Sequence, residues 1–567
     1  MLESVYFAIA YTSLTNMELA PPPALNRAQL SFDNLPGFGP AWQAVVCEAP
    51  AAEWLYARSP ANPQACEAAA RERLASFPFY PQLAEILTQE GKLYGIPEET
   101  LARLKLLAAG KAVMVVTGQQ VGYLGGPLFT FIKAYHTVRM ARALEATLKL
   151  PVLPLFWLEG EDHDLAEIRA THFPKPDGTV GSVEFAPANE IANQEVGRYE
   201  VGEQGLAGVH ELLSNWENVS GEAADALEHS YSDADLSTAM GRLLAATLGP
   251  RGLLVCEGRN EGLKKLAAPL WEKVIDERET LRNTFFSRSE EVRARGFSGS
   301  MSPTPDAHFF YVVGKDFVRL PVSLDGAVRH PDGRTEHVTP DELKVKLASG
   351  KWTVSPKAGL RPLFQDFVLP SIAYVGGPGE MEYHAQLAPL YKLFGVTAPS
   401  LFPRMSVTIV DQKCDRTREK LTLSWEELFT THEHDLIKKL MRGADEHDTT
   451  KLFSEIKTEI EAVINKLRPT LIDLDPTLEG ALGTTIGKAL HPLEHLEGKA
   501  NKAIKQQHTV ELGRLNRVLF AARPNGKPME RVYGTAWALL TFGVTEFLNM
   551  LDQVPADGAA HHIIITE

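Results

Sequence analysis

Apolar positions along this chain change their period several times, and each change marks a different kind of element. Over the first hundred residues, Pro21–Pro23, Pro60, Pro63, Pro78 and Pro81 interrupt short helical patterns such as 53–60 and 65–77. These helices are expected to pack on something larger, as an N-terminal region over 1–104. Ala112–Val116 is then a continuous apolar run closed by Thr117 and Gly118. That is the pattern of a strand buried on both faces of a parallel sheet. A glycine-rich loop follows. Beyond it Leu128, Ile132, Tyr135, Val138, Leu144 and Leu148 recur at helical spacing, with Pro127 placed to open the helix. Pro151–Trp157 is a second apolar run, so strand, crossover helix and strand form a βαβ unit. Further strands are predicted at Gly252–Cys256, Ser371–Val375 and Ser406–Val410, the first two each followed by a helical pattern.

The pattern thus predicts an α/β fold: a Rossmann-like parallel-sheet core over about 105–415. Two insertions, near 174–235 and 297–355, carry Gly, Pro, Asp and Asn between short alternating runs and are expected to be small β-containing excursions. After 415 the period becomes 4, 3, 4. Ile456, Ile460, Val463 and Leu467, then Leu482, Ile486, Ala489, Leu493, Leu496, Ala500 and Ala503, mark a heptad seam on two arms of a coiled-coil hairpin over 416–522. His491-Pro492 and Gly498 predict a bend or fraying in the second arm. The last segment, 523–567, is expected to pack back on the core.

Charge changes the picture in one respect. The 567 residues hold 57 Lys+Arg against 72 Asp+Glu, a net charge of −15, whereas the arms (451–520) are near neutral with ten Lys/Arg and nine Asp/Glu. Nucleic-acid affinity rests on clustered cations, so a nucleic-acid partner is excluded as an expectation. Cys47, Cys66, Cys256 and Cys414 show no CxxC spacing, and neither a disulfide framework nor a structural zinc is predicted. No run approaches the ~18 apolar residues of a membrane span, and the start, with Glu3 and no basic residue, does not resemble a signal peptide. A soluble cytoplasmic protein is the expectation.

Candidate chemistry gathers where the strands end, the edge at which open parallel sheets bind ligands. The loop Gly118-Gln119-Gln120-x-Gly122-x-x-Gly125-Gly126-Pro127 combines close backbone approach with a helix start, which suits phosphate. It is neither a Walker A loop nor a dinucleotide fingerprint, and a tight turn explains it equally well. Glu161-Asp162-His163-Asp164 follows the second strand. Three carboxylates and an imidazole in a row must face water, a metal such as Mg²⁺ or a substrate. The bland alternative is a helix cap and solvated turn. Arg361, Gln365, Gly377, Glu380 and Tyr383 form a third cluster, with Arg404 and Ser406 close behind. The arginines are natural clamps for phosphate or carboxylate, or else surface ion pairs.

Taken in order, TGQQxGxxGGPLxTxxK (Thr117–Lys133), PVLPLFWLEGEDHDxxE (Pro151–Glu167), SPKAGLRPLFQDFVLPSIAYVGGPGEMEYHAQLAPLY (Ser355–Tyr391), PRMS (Pro403–Ser406) and PNGKPMERVYG (Pro524–Gly534) resemble the BshC family, the cysteine ligases of bacillithiol biosynthesis. The resemblance implies a nucleotidyltransferase-like Rossmann core with connecting-peptide insertions and a C-terminal coiled coil that dimerises. It implies addition of cysteine to the amino group of glucosaminyl-malate. The HIGH and KMSKS signatures of the related synthetases are absent, and Pro403–Ser406 is a positional counterpart of the second. On this resemblance Gly118–Pro127 and Arg404 would position ATP or another nucleotide. Glu161, Asp162 and His163 would hold an amine and take its proton, and Arg361 would hold a carboxylate. The competing readings are a nucleotide-binding scaffold without catalysis and nucleotidyl transfer to another small molecule.

Overall fold

The computed structural model describes residues 26–566 apart from 48–49, 61, 63, 217–220, 302–308, 324 and 445–448. The Pro21–Pro23 segment, Pro63 and the start of the chain, on which sequence expectations were placed, lie outside the described residues.

Five strands form the central sheet: β1 (Val113–Gln120), β2 (Val152–Glu159), β3 (Leu254–Glu257), β4 (Ser371–Gly376) and β5 (Ser400–Pro403). Their order is β5-β4-β1-β2-β3 and every pairing is parallel. Helix α1 (Leu128–Leu148) makes the crossover from β1 to β2. The first six residues of β1 are buried, which is why the run carries no alternation. Val113 and Val115 share a core cluster with Ala69 and Ala70 of the N-terminal helix Ala65–Ser76, and with Met140, Ala141 and Leu144 of α1. Register pairs Gln120 with Glu159 at the carboxyl edge, so the last residues of β1 and β2 stand side by side.

The fifth strand is not the one the sequence suggests. Ser400–Pro403 pairs with β4, and Arg404 N–H then bonds Gly376 O. The run Ser406–Asp411 instead joins a separate three-stranded sheet beside His561–Thr566, which is antiparallel to Asn26–Leu30. An apolar run announces burial but not its partner, and this partner arrives more than a hundred residues later.

The first insertion also departs from expectation. Only its start is β, a hairpin of Ala170–Pro174 with Val180–Glu184; helices Gly202–Ser214 and Gly221–Tyr231 follow. Gly205, Gly208, Val209 and Leu212 bury a helical face that the high glycine content disguises. The second insertion is β-rich: Thr353–Pro356, Phe310–Val313 and Arg319–Pro321 form one sheet, and Ala327–Arg329 pairs with Thr335–His337.

Two compact units divide the chain, one extending to Ile409 and including Lys527–Thr566, the other Val410–Gly526. In the second, helices α4 (Thr449–Asn465) and α5 (Leu478–Gln507) pack on one another, with Lys457 and Glu497 paired at 2.5 Å. Helix α5 runs unbroken across Pro492 and Gly498, so the expected fraying is corrected. Among the described residues no helix is long and apolar enough to cross a membrane. Two further helices bear on the site: α2 (Arg361–Val368) precedes β4, and α3 (Pro378–Phe394) follows it.

Candidate active site

A cavity of about 380 Å³ opens at the carboxyl edge of the sheet. Gly118, Gln119 and Gln120 line it from β1 and Glu159 from β2. Asp162 and His163 come from the loop after β2, Tyr311 and Arg319 from the second insertion, and Pro356, Lys357 and Ala358 from its exit. Arg361, Glu380 and Tyr383 come from α2 and α3. Gly118 is needed where it stands. A Cβ there would lie 3.0 Å from Trp157 O and 3.5 Å from Arg361 Nη1.

Most charges in this cavity are already paired. Asp162 accepts from Gln120 Nε2, from His163 N–H at 2.7 Å and from Arg319 Nη1 at 3.3 Å. Burial disfavours the Asp162 carboxylate, yet His163, Arg319 and Gln120 together hold its pKa well below the usual range. Arg319 Nη1 also lies 3.1 Å from His163 Nδ1. The same His163 Nδ1 stands 3.3 Å from Asp162 Oδ1, so one ring nitrogen faces both the guanidinium and the carboxylate. Arg319 further donates to Pro356 O at 3.3 Å and stacks 4.0 Å over the Tyr311 ring.

Across the cavity, Arg361 donates to Gln365 Oε1 at 3.1 Å and Tyr383 OH at 2.8 Å, and stands 4.0 Å from Glu380. Glu380 accepts from Lys133 Nζ, Tyr374 OH and, at 2.7 Å, Gly377 N–H. Lys133 is fully buried on α1 and donates to Gly118 O at 2.6 Å, tying the end of β1 to the start of α3. Burial brings its pKa down to about 8, against the pull of Glu380.

The sequence candidates therefore separate. Gly118, Gln119, Gln120, Asp162, His163, Arg361, Glu380 and Tyr383 meet in one cavity. Gln365 and Gly377 support it by orienting Arg361 and Glu380. Glu161 is wholly buried in an ion pair with Lys264, and Asp164 caps the turn Leu165–Ile168 by accepting from Glu167 N–H at 3.2 Å. Neither lines the cavity.

Gly122, Gly126 and Pro127 do not line it either. Gly122 N–H points at Met240 S, Gly125 N–H donates to Tyr231 OH, and Leu128 N–H donates to Tyr533 O at 2.8 Å. Thr535 N–H takes Gly126 O. The Gly122, Gly125 and Leu128 donors are thus spent on protein, and the loop is a packed turn beyond Gln120.

Arg404 and Ser406 also stand outside the cavity. Arg404 is 1% exposed and donates to Glu530 Oε1 at 2.7 Å. The same oxygen accepts from Ser406 OH at 2.8 Å, and Glu530 Oε2 accepts from Val407 N–H. This is an interior bond between the PRMS and PMERVYG motifs.

Sequence reasoning missed Glu159, Tyr311, Arg319 and Lys357. Glu159 had a signal: it is the first carboxylate after an apolar strand run, at the edge where ligands bind. Arg319 had none, because only the folded insertion brings it to Asp162.

Comparison with known proteins bears on the whole constellation. Residues 40–405 match the family described as Bacillithiol biosynthesis BshC, N-terminal Rossmann-like domain, and 407–567 match its C-terminal coiled-coil domain. This chain belongs to the BshC family. Relatives named "Putative cysteine ligase BshC" include one from Prosthecochloris aestuarii, 28% identical over 486 residues (81% of this chain, 84% of the relative). One from Geobacillus thermodenitrificans is 27% identical over 494 residues (85% and 90%). Another, from Bacillus cereus, is 25% identical over 482 residues (82% and 87%). The BshC assignment spans both units, so the cavity belongs to the family's Rossmann-like domain and α4 and α5 to its coiled coil.

Proposed function

We propose that this chain is a ligase that forms the amide between the carboxyl carbon of cysteine and the amino group of glucosaminyl-malate, the last bond of bacillithiol. The observation that carries this is the mixed charge of one cavity in a BshC-family Rossmann-like domain. Carboxylates suited to an ammonium (Glu159, Asp162) and cations suited to carboxylates (Arg319, Lys357, Arg361) line the same 380 Å³. An amino-bearing dicarboxylate and an amino acid call for such a mixture.

A carboxylate does not acylate an amine at neutral pH without a leaving group. ATP, with Mg²⁺, would supply one by converting the cysteine carboxylate to a mixed anhydride. Gly118–Gln120 and Arg319 are the cavity residues that would face its phosphates. Among the described residues no three His, Cys, Asp or Glu form a metal-binding group, so Mg²⁺ would travel on the phosphates. Asp162 and Arg319 fix the His163 ring at the cavity wall, and Arg361 holds a carboxylate. We further place the reaction in the cytoplasm and in a homodimer joined through the coiled-coil arms.

The test is complementation. Wild-type chain restores bacillithiol to a strain lacking it, whereas Asp162→Ala and His163→Ala lower the restored thiol at least tenfold at equal protein level. Full restoration by both variants contradicts the assignment.

A further inference from the structure

Two ionisable groups in the cavity stand apart from all the rest. Asp162, Arg319, Arg361 and Glu380 each have protein partners, so their geometry is set before any ligand arrives. Glu159 and Lys357 do not. Among the described residues the Glu159 carboxyl has no hydrogen-bond donor, and its Oε2 is buried without a partner. Among the described residues the Lys357 ammonium makes no hydrogen bond or ion pair, and it stands 5.7 Å from the centre of the Tyr311 ring. Unpaired polar groups in a half-buried site cost free energy unless something else pairs them.

We propose that Glu159 and Lys357 contact the acceptor directly, Glu159 taking its amine and Lys357 a carboxylate of the same molecule. This rests on the ligase reading and deepens it, because it specifies which end of an amino-carboxylate substrate goes where. The surroundings agree. Glu159 ends β2 next to Gln120, with Glu161, Asp162, Arg319 and Arg361 as its charged neighbours. Burial, reinforced by Glu161, pushes the Glu159 carboxyl up to about 7, within reach of an amine's proton. Lys357 lies at the exit of the second insertion, and burial together with Arg319 lowers its pKa.

The step balances as follows. The acceptor nitrogen lone pair attacks the carbonyl carbon of a cysteinyl mixed anhydride with phosphate. The C–N bond forms, the C–O bond to phosphate breaks with its electron pair, and the nitrogen's proton passes to the Glu159 carboxylate. Glu159 is thereby a catalytic residue and Lys357 a binding one.

The experiment is calorimetric titration of the full chain with three ligands: glucosaminyl-malate, methyl glucosaminide, which has the amine alone, and malate, which has the carboxylates alone. Lys357→Ala is expected to weaken glucosaminyl-malate and malate at least tenfold and leave methyl glucosaminide unchanged, with Lys357→Arg recovering part of the loss. Glu159→Gln is expected to weaken the two amine ligands and leave malate unchanged. Equal weakening of all three ligands by either variant, or wild-type affinity in both, overturns this assignment while the ligase reading stands. Failure of the wild-type chain to bind glucosaminyl-malate overturns that reading and this inference with it.

Discussion

His384 shows how much the cavity's second layer is held by exclusion of water. It stacks on Tyr383 at a centroid distance of 4.9 Å, and neither ring nitrogen has a partner. Burial brings its pKa down to about 3, as it does for His136, and brings His561 down to about 4. A folded pKa below the unfolded one means the unfolded chain binds more protons. Stability is therefore fully present above about pH 6.5 and falls as pH drops, by ~1.4 kcal/mol per unit for each such histidine. His384→Phe keeps the stacked shape and removes the titration. Its stability advantage over wild type is expected to grow by ~2 kcal/mol between pH 7.5 and pH 5; thermal melts at the two pH values check this, and an unchanged gap refutes it. Arg404 and Glu530 make the opposite case, since both are buried and paired. Removing one partner, as in Arg404→Met, is expected to cost about 3–5 kcal/mol, with Arg404→Met/Glu530→Leu closer to wild type than either single variant. Urea unfolding of the three variants measures it. At this scale the sequence was most misleading. A motif arginine beside a strand end has the same letters whether it meets a ligand or a buried glutamate, and only the pairing with a residue 126 positions away decides.

Elements explain why some candidates converge and others do not. The parallel register carries Gly118–Gln120, Glu159 and the loop to His163 to one edge, and that much was legible because buried strand runs ending in Gly or acid announce themselves. The turn after Gln120 has a separate task. A Cβ on Gly122 would lie 2.6 Å from Gly126 Cα, a clash with backbone that cannot rotate away. Gly122→Ala is expected to destabilise the chain by about 1–3 kcal/mol, read as a lowered melting temperature. It should also weaken ligand binding through displacement of Gly118–Gln120. A variant that melts and binds as wild type contradicts the packed-turn account. The glycines were visible in the sequence, but whether their N–H groups served a phosphate or Met240, Tyr231 and Tyr533 was not, because those partners belong to distant segments. The same long reach hid the pairing of Ser406–Asp411 with the C-terminal strand and the arrival of Arg319 at Asp162.

For the whole molecule, the arms pose the question of assembly. Val463, Leu467 and Leu474 of the second unit are 59%, 56% and 73% exposed. Val463 and Leu467 are heptad positions, and apolar side chains left open there and at Leu474 suit a second copy. Leu467→Lys/Leu474→Lys is expected to shift the chain from dimer to monomer in sedimentation velocity with its melting temperature nearly unchanged, whereas a wild-type chain that is already monomeric contradicts the dimer. The net charge of −15, met first as an argument against nucleic acid, now sits beside a cavity lined by both acids and cations. The central claim concerns that substrate and is tested most directly by mass spectrometry of small thiols and their precursors in a strain lacking this chain. The account predicts that bacillithiol is absent and glucosaminyl-malate accumulates, both reversed by the wild-type gene. An unchanged bacillithiol pool would contradict it.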